Sequence, residues 1–376
     1  MPNGTFITAS LLLDDQKIVG IVHSDLPEDV QYVDVMGCMV APGFIDTHMH
    51  GSGGRNFMEG TREATSMISR NMSKSGVTSC LATTTSAAIE DIWNALENVV
   101  TVKNRPIPYE MEILGVHLEG PYVNIKNHGA HSKQYVRQAE LFELESIWEV
   151  ANSALKIVTL APEIPKGMEA VRYLKGRGVN VSIGHTSATY EETKLALASG
   201  VSRATHLFSA MPSIHHRNPG PIPALFENQS VYLELIVDGF HLHPATVGMV
   251  IRQVESYRPI LITDSADISG LGEGVFTRWK GLEVIVKDGQ CRTHEGSLAG
   301  STLRMDQGVK NLVEQVGLSV EQALRIAAEN PARSIGVYDR KGSLEAGKDA
   351  DIVVLRDDLS VVMTIIRGQI AYDARN

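Results

Sequence analysis

Short apolar runs rich in β-branched residues recur along the chain. They are VAPGFID (40–46), VTSCLATT (77–84), EILGVHLE (112–119), LKIVTLAP (155–162), NVSIGH (180–185), RATHLF (203–208), YLELIVD (232–238) and PILITD (259–264). Each has strand length and strand composition. Stretches of helical character separate most of them, among them EATSMISRNMSKSG (63–76), IEDIWNALENVVTVK (89–103) and EETKLALASG (191–200), where Gly200 suits a helix C-cap. Eight strands alternating with helices predict an α/β fold, a (β/α)8 TIM-like barrel, which helices near 303–316 and 320–329 would complete.

The two ends of the chain follow another pattern. Residues 1 to about 40 read as short strands and turns, such as QKIVGIVHS and VQYVDVMG, and the C-terminal DADIVVLRDDLSVVMTIIRGQIAYDA is also strand-like. Both ends are expected to join in one small β domain of residues 1–42 and 341–376, beside a barrel of residues 43–340. Within WKGLEVIVKDGQCRTHEG, Asp288-Gly289 between alternating apolar positions signals a hairpin.

Composition narrows the function classes. The chain has 376 residues, 43% hydrophobic and 21% charged, ordinary values for a globular protein. A net charge of −10 argues against broad binding to nucleic acid or anionic membranes, though not against a small anionic substrate. No apolar run is long enough to span a bilayer, and MPNGTFITAS lacks the basic and apolar regions of a signal peptide. Cys38, Cys80 and Cys291 are odd in number and far apart, so neither a disulfide framework nor a cysteine zinc site follows. A cytoplasmic location is the simplest expectation.

In such a barrel the active site lies at the C-terminal ends of the strands. Strand one ends in His48 and His50, one residue apart within DTHMHGSGG. Strand three ends in Glu119, strand five in His185 and strand eight in Asp264. Strand six carries His206, and Asp238 and His241 follow strand seven. Any one of these has a plain reading as a satisfied polar residue or a helix cap. Their conjunction is chemical. Glu119, His185 and His206 are the carboxylate and imidazole ligands that a catalytic zinc or iron takes. Asp264 would stand over them as an acid/base. Glu163, in TLAPE, reads as a structural residue.

The residues also carry a resemblance. PGFIDTHMH, the strand-five and strand-six histidines, the strand-eight aspartate and NPARSIGVYDRKGSLEAGKDADIVVL resemble the amidohydrolase superfamily of metal-dependent hydrolases. HLEGPY, GAH, VTLAPE, SIGHTSAT, ATHLFSAM, RNPG, VDGFH, ITDS and SLAGS, in this order over nearly the whole chain, resemble its N-acetylglucosamine-6-phosphate deacetylase family. The resemblance implies hydrolysis of the N-acetyl amide of N-acetylglucosamine 6-phosphate to glucosamine 6-phosphate and acetate, in amino-sugar catabolism. It implies Glu119, His185 and His206 as ligands of a divalent zinc or iron ion, Asp264 as acid/base and His241 as the group that polarises the carbonyl. Ala130, His131, Ser209, Ala210, Asp238, Leu298, Ala299 and Gly300 match positions that surround the substrate. Arg217 matches a phosphate-binding arginine that reaches a neighbouring subunit's site, which implies a homodimer.

Two departures matter. Some members lack the pair His48 and His50 and hold a single metal, so this chain has room for one or two ions. Ser209 stands where many members have asparagine, at the phosphate end. Two kinds of rival remain. One is another amide hydrolase, including a deacetylase for the galactosamine epimer. The other is a barrel that binds metal or sugar phosphate without catalysis, against which the presence of both Asp264 and His241 weighs.

Overall fold

A computed structural model of the chain describes residues 5–23 and 31–375. Eight strands form one parallel sheet in sequence order: β1 (Phe44–Met49), β2 (Val77–Thr83), β3 (Glu112–Glu119), β4 (Leu155–Leu160), β5 (Asn180–Ile183), β6 (Val201–Ala204), β7 (Tyr232–Ile236) and β8 (Pro259–Ile262). β8 returns to β1 just beyond its own end. Ser265 bridges Met49 in parallel, the Asp264 N–H donates to His48 O at 2.9 Å and the His50 N–H donates to Ser265 O at 2.9 Å. The sheet thus closes at the C-terminal ends of its first and last strands, where the polar residues stand.

A helix follows each strand: α1 (Arg62–Ser73), α2 (Ile89–Asn104), α3 (Leu141–Ala151), α4 (Gly167–Gly176), α5 (Tyr190–Ser199), α6 (Pro221–Glu227), α7 (Pro244–Gln253) and α8 (Met305–Glu314). Local chemistry sets their starts. The Thr61 side chain accepts from Ala64 N–H at the head of α1, and Thr189 with Glu192 forms a reciprocal capping box on α5. On α1, Ala64, Thr65, Ile68, Ser69 and Met72 are buried, the three-and-four spacing of one helix face. Ile45, Leu81, Leu114 and Ile157, one from each of β1 to β4, pack with Ala332 and Ile335. The helix that supplies Ala332 is the last of a run that starts as Val320–Leu324, loosens into a π-helical turn at Arg325–Glu329 and ends as Asn330–Ser334.

The run 40–46, expected as one barrel strand, is two. Met39–Pro42 pairs antiparallel with Ile352–Leu355, in a four-stranded sheet completed by Val361–Ile366 and Gln369–Asp373. Phe44 then opens β1. Gly43 is the break, and a Cβ there would lie 2.2 Å from the Thr78 side chain. Both ends of the chain therefore share one sheet. The segment 31–37 does not form the expected strand. The Asp34 carboxylate accepts the Met36 N–H at 2.7 Å, and Met36 and Gly37 both have positive φ, so the chain turns before any ladder can form. Ser24 and Val30, the ends of two of those runs, lie outside the described residues. Lys17–Val22 does form a strand, paired with Ser10–Asp14. The Asp288-Gly289 hairpin is present between Glu283–Lys287 and Gln290–Thr293, with φ of 51° and 76° as a type I′ turn requires.

Candidate active site

The strand-end residues converge on the Glu119 carboxylate, which is buried at the tip of β3. Its Oε1 lies 3.2 Å from His185 Nε2 and 3.1 Å from His206 Nε2, and those two nitrogens are 3.0 Å apart. Its Oε2 lies 3.1 Å from His50 Nε2. Asp264 Oδ1 stands 3.3 Å from His50 Nε2 and 3.6 Å from His48 Nε2. Glu119 Oε1 also lies 3.4 Å from His48 Nε2, so this one carboxylate gathers His48, His50, His185 and His206. The backbone is strained where this happens: His185, His206 and Asp264 have φ of 46°, 26° and 49°. Left-handed backbone at non-glycine residues costs energy, and it turns these three side chains off their strands.

Hydrogen bonds at the far ring nitrogens determine which imidazole atoms carry lone pairs. His185 Nδ1 faces the Asn127 carbonyl at 2.8 Å and must donate, which leaves Nε2 as a lone pair aimed at Glu119. His48 Nδ1 donates to the Glu234 carboxylate at 2.9 Å, so in the neutral ring its Nε2 carries the lone pair, and that atom is buried without a hydrogen-bond partner. His131 is the opposite. The Ser86 backbone N–H donates to its Nδ1 at 3.1 Å, so Nε2 carries the proton, 3.5 Å from Glu119 Oε2. Glu119, His131 and His185 are close enough together to suggest a metal triad. The protonated Nε2 of His131 argues against that grouping and makes the residue a donor.

A divalent ion fits the remaining set. The edges of the Glu119–His185–His206 triangle, 3.0 to 3.2 Å, are close to the roughly 3.3 Å ligand separation of a tetrahedral zinc site. A second set, His48, His50 and Asp264, offers ligand atoms within 4.8 Å of one another. Glu119 and Asp264 have histidines but no lysine or arginine as ion-pair partners among the described residues. The pocket is short of positive charge. Burial opposes protonation of His48, yet the Glu119, Glu234 and Asp264 carboxylates outweigh it and push its pKa well up. Burial likewise raises Asp264, but His48 and His50 prevail and hold the carboxyl below its ordinary value.

Around this centre stand the other expected residues. Burial, with His185 beside it, lowers the His131 pKa to about 4. Beyond β7, His241 Nδ1 donates to Asp238 Oδ2 at 2.7 Å. Ala130 packs partly buried against the apolar cluster that contains Ala299, and Leu298 bridges Arg292. Gly300, with φ of 66°, lets the chain pass close to Asp264, because a Cβ there would lie 3.0 Å from Asp264 O. Phe208 and Ala210, on either side of Ser209, have φ of 74° and 51°, and Ala210 O accepts the Thr186 N–H at 3.1 Å. Arg217 stands apart: it is exposed, and its guanidinium meets His216 Nε2 at 2.7 Å. Glu163 accepts hydrogen bonds from Asn124, Thr186 and the Ser187 backbone, at 2.6 to 2.8 Å, and so braces the loop that carries His185.

Three buried residues beneath the centre lie outside the set read from the sequence. Glu234, in β7, holds His48 and pairs with Arg203 at 2.7 Å. His117, in β3, donates from Nδ1 to Thr47 O at 3.2 Å and accepts at Nε2 from Thr159 at 2.7 Å, and burial lowers its pKa to about 3. Their signal was a charged or ionisable residue inside an apolar strand run, as in YLELIVD, RATHLF and EILGVHLE.

Comparison with known proteins bears on the same residues. A model of the amidohydrolase family matches residues 39–371. An N-acetylglucosamine-6-phosphate deacetylase of Vibrio furnissii is 39% identical over 333 residues, 89% of this chain and 83% of that protein. An N-acetylgalactosamine-6-phosphate deacetylase of Escherichia coli O157:H7 is 35% identical over 362 residues, 96% of this chain and 95% of that protein. The crystal structure of N-acetylglucosamine-6-phosphate deacetylase from Pasteurella multocida superposes with a TM-score of 0.91 at 30% identity, covering 97% of this chain and 95% of that one.

Proposed function

The chain belongs to the amidohydrolase family, and on that premise we propose that it hydrolyses the N-acetyl amide of N-acetylglucosamine 6-phosphate to glucosamine 6-phosphate and acetate. The observation that carries the chemistry is the Glu119 carboxylate, with one oxygen on His185 and His206 and the other on His50, beside the anionic Asp264. Glu119, His185 and His206 would hold one divalent ion, zinc or iron, and His48, His50 and Asp264 a second that shares Glu119. Such an ion supplies Lewis-acid polarisation and brings the pKa of water towards 7.

The chain's own groups carry the protons. Asp264 Oδ1 takes a proton from water as its oxygen attacks the acetyl carbonyl carbon. His241 in its doubly protonated form offers Nε2–H to the developing oxyanion, while Asp238 on Nδ1 orients the ring and offsets its charge. Asp264 then returns the proton to the nitrogen, the C–N bond breaks and acetate departs. His131 offers its Nε2–H to the substrate. Ala130, Ser209, Ala210, Leu298, Ala299 and Gly300 form the walls around the sugar and its phosphate. Arg217 would serve the phosphate in a second copy's site, since its guanidinium is exposed and suits bidentate phosphate contact. The protein would then be a homodimer. No helix among the described residues is long and apolar enough to cross a membrane, and a cytoplasmic location is proposed.

Acetate release from N-acetylglucosamine 6-phosphate, from the unphosphorylated sugar and from the galactosamine epimer's 6-phosphate tests the reading. A higher kcat/KM for either competitor overturns the substrate. Arg217→Ala is expected to raise KM for the phosphorylated sugar alone.

A further inference from the structure

Glu234 is fully buried, yet it touches both halves of the metal centre. Its Oε2 accepts His48 Nδ1–H at 2.9 Å and the His206 backbone N–H at 3.1 Å, the second at the strained φ of 26°. Its Oε1 accepts from Arg203 Nε at 2.7 Å. Arg203 is in turn fully buried, donating to Ser334 Oγ at 2.7 Å and to Thr47 Oγ1. Both charges are thus neutralised and saturated within the wall of the barrel. Neither is part of the reaction proposed above.

Among the candidate ligands, His48 has a carboxylate on its far nitrogen, whereas His185 has only a neutral carbonyl there. A carboxylate in that position pins the tautomer and raises the basicity of the other nitrogen. We propose that Glu234, locked by Arg203, is a positioning residue that makes His48 a ligand and so sets whether the first strand holds its own ion. The inference rests on the two-ion reading above.

Substitution with glutamine separates the effects. A glutamine side chain keeps the shape but has one oxygen and one NH2. If the oxygen faces Arg203, the NH2 opposes both His48 Nδ1–H and the His206 N–H. If the oxygen faces His48, the NH2 opposes Arg203 Nε–H. The first arrangement is relieved at His48, though not at the His206 N–H, when His48 moves its proton to Nε2, which removes the lone pair that a metal needs.

The test uses full-length protein reconstituted with zinc, its metal-to-chain ratio measured by mass spectrometry, its zinc affinities by chelator competition and its fold by circular dichroism. Wild type is expected to hold two zinc ions per chain. Glu234→Gln is expected to hold one, with an unchanged spectrum and the Glu119–His185–His206 ion retained. Arg203→Lys keeps the charge but loses the fork, and its second zinc is expected to bind about 10-fold more weakly. It decides the matter if the glutamine variant does not fold. One zinc per wild-type chain overturns the two-ion reading itself. Two zinc ions in wild type, with unchanged second-zinc affinity in the folded variant, overturn the positioning role alone.

Discussion

Two clusters of buried charge in this molecule are built to opposite rules. Near the C-terminal sheet, Lys341 is almost fully buried and meets Asp351, Glu112 at 2.8 Å and Asp349 at 3.1 Å. Arg340 adds contacts to Glu112 and Asp349, and Lys17 reaches Asp349 at 2.8 Å. Three cations thus answer three carboxylates. At the barrel mouth, Glu119 and Asp264 have only imidazoles around them, at least one of which presents an unmatched lone pair. The first cluster is complete in itself. The second has donors and negative charge left over, which is the arrangement a divalent cation completes. Burial and charge alone do not identify a site. Unbalanced charge and unspent lone pairs do.

Replacing Asp264 with asparagine should break the mouth as an active site and leave it as a metal site. Acetate release is expected to fall by about 10³-fold or more with the Glu119–His185–His206 ion retained, and near-normal turnover would sink the role assigned to Asp264. At the other cluster the effect should be on stability alone. Lys341→Met leaves three carboxylates undercompensated and is expected to cost about 3–5 kcal/mol, measured by urea unfolding, with kcat per folded chain unchanged. A loss of kcat in that variant would show that the two regions are coupled.

Chelation sharpens the contrast. Stripping metal should abolish activity and lower the melting temperature by roughly 5 °C, reversibly on adding zinc, because an ion that binds only the folded chain stabilises it. A melting curve that ignores the chelator would mean the mouth is complete without an ion.

The smallest effect is the pH dependence of the closed cluster. Burial raises Glu112 and Asp349, but Lys341 outweighs it, helped by Arg340 on both and Lys17 on Asp349, and both carboxyls lie below their ordinary values of 4.5 and 3.8. A depressed folded pKa contributes stability that is full above the ordinary value and lost as pH falls through the folded one. Melting temperature should therefore drop below about pH 4.5, and Lys341→Met, which lets both folded pKa values rise towards or past their ordinary values, should shrink that drop. An acid limb of unchanged size in the variant would remove Lys341 as its cause.

Much of this was legible along the chain. β2 is buried at all seven positions, and runs of that kind mark barrel strands wherever they occur. The strand-end residues His48, His50, Glu119, His185, His206 and Asp264 were legible as polar groups that end apolar runs. Glu234, Arg203 and His117 were harder, because they lie inside such runs and a barrel interior hides a charge only when a partner from another strand meets it. The split at Gly43 was invisible because VAPGFID is equally strand-like on both sides of it. Its two halves separate only because one end of the chain meets the other in the second sheet.

The sequence by itself determined the alternation of strands and helices, the polar residues at the strand ends and the hairpin at Asp288-Gly289, since each follows from local propensity and period. Tertiary structure decided which nitrogen of each histidine is free. That depends on the groups brought to the far side of each ring, Glu234 for His48, the Asn127 carbonyl for His185 and the Ser86 amide for His131, and they come from segments up to 186 residues away. A side chain's identity limits what it can ligate or donate. Only its neighbours across the barrel select which of the two it does.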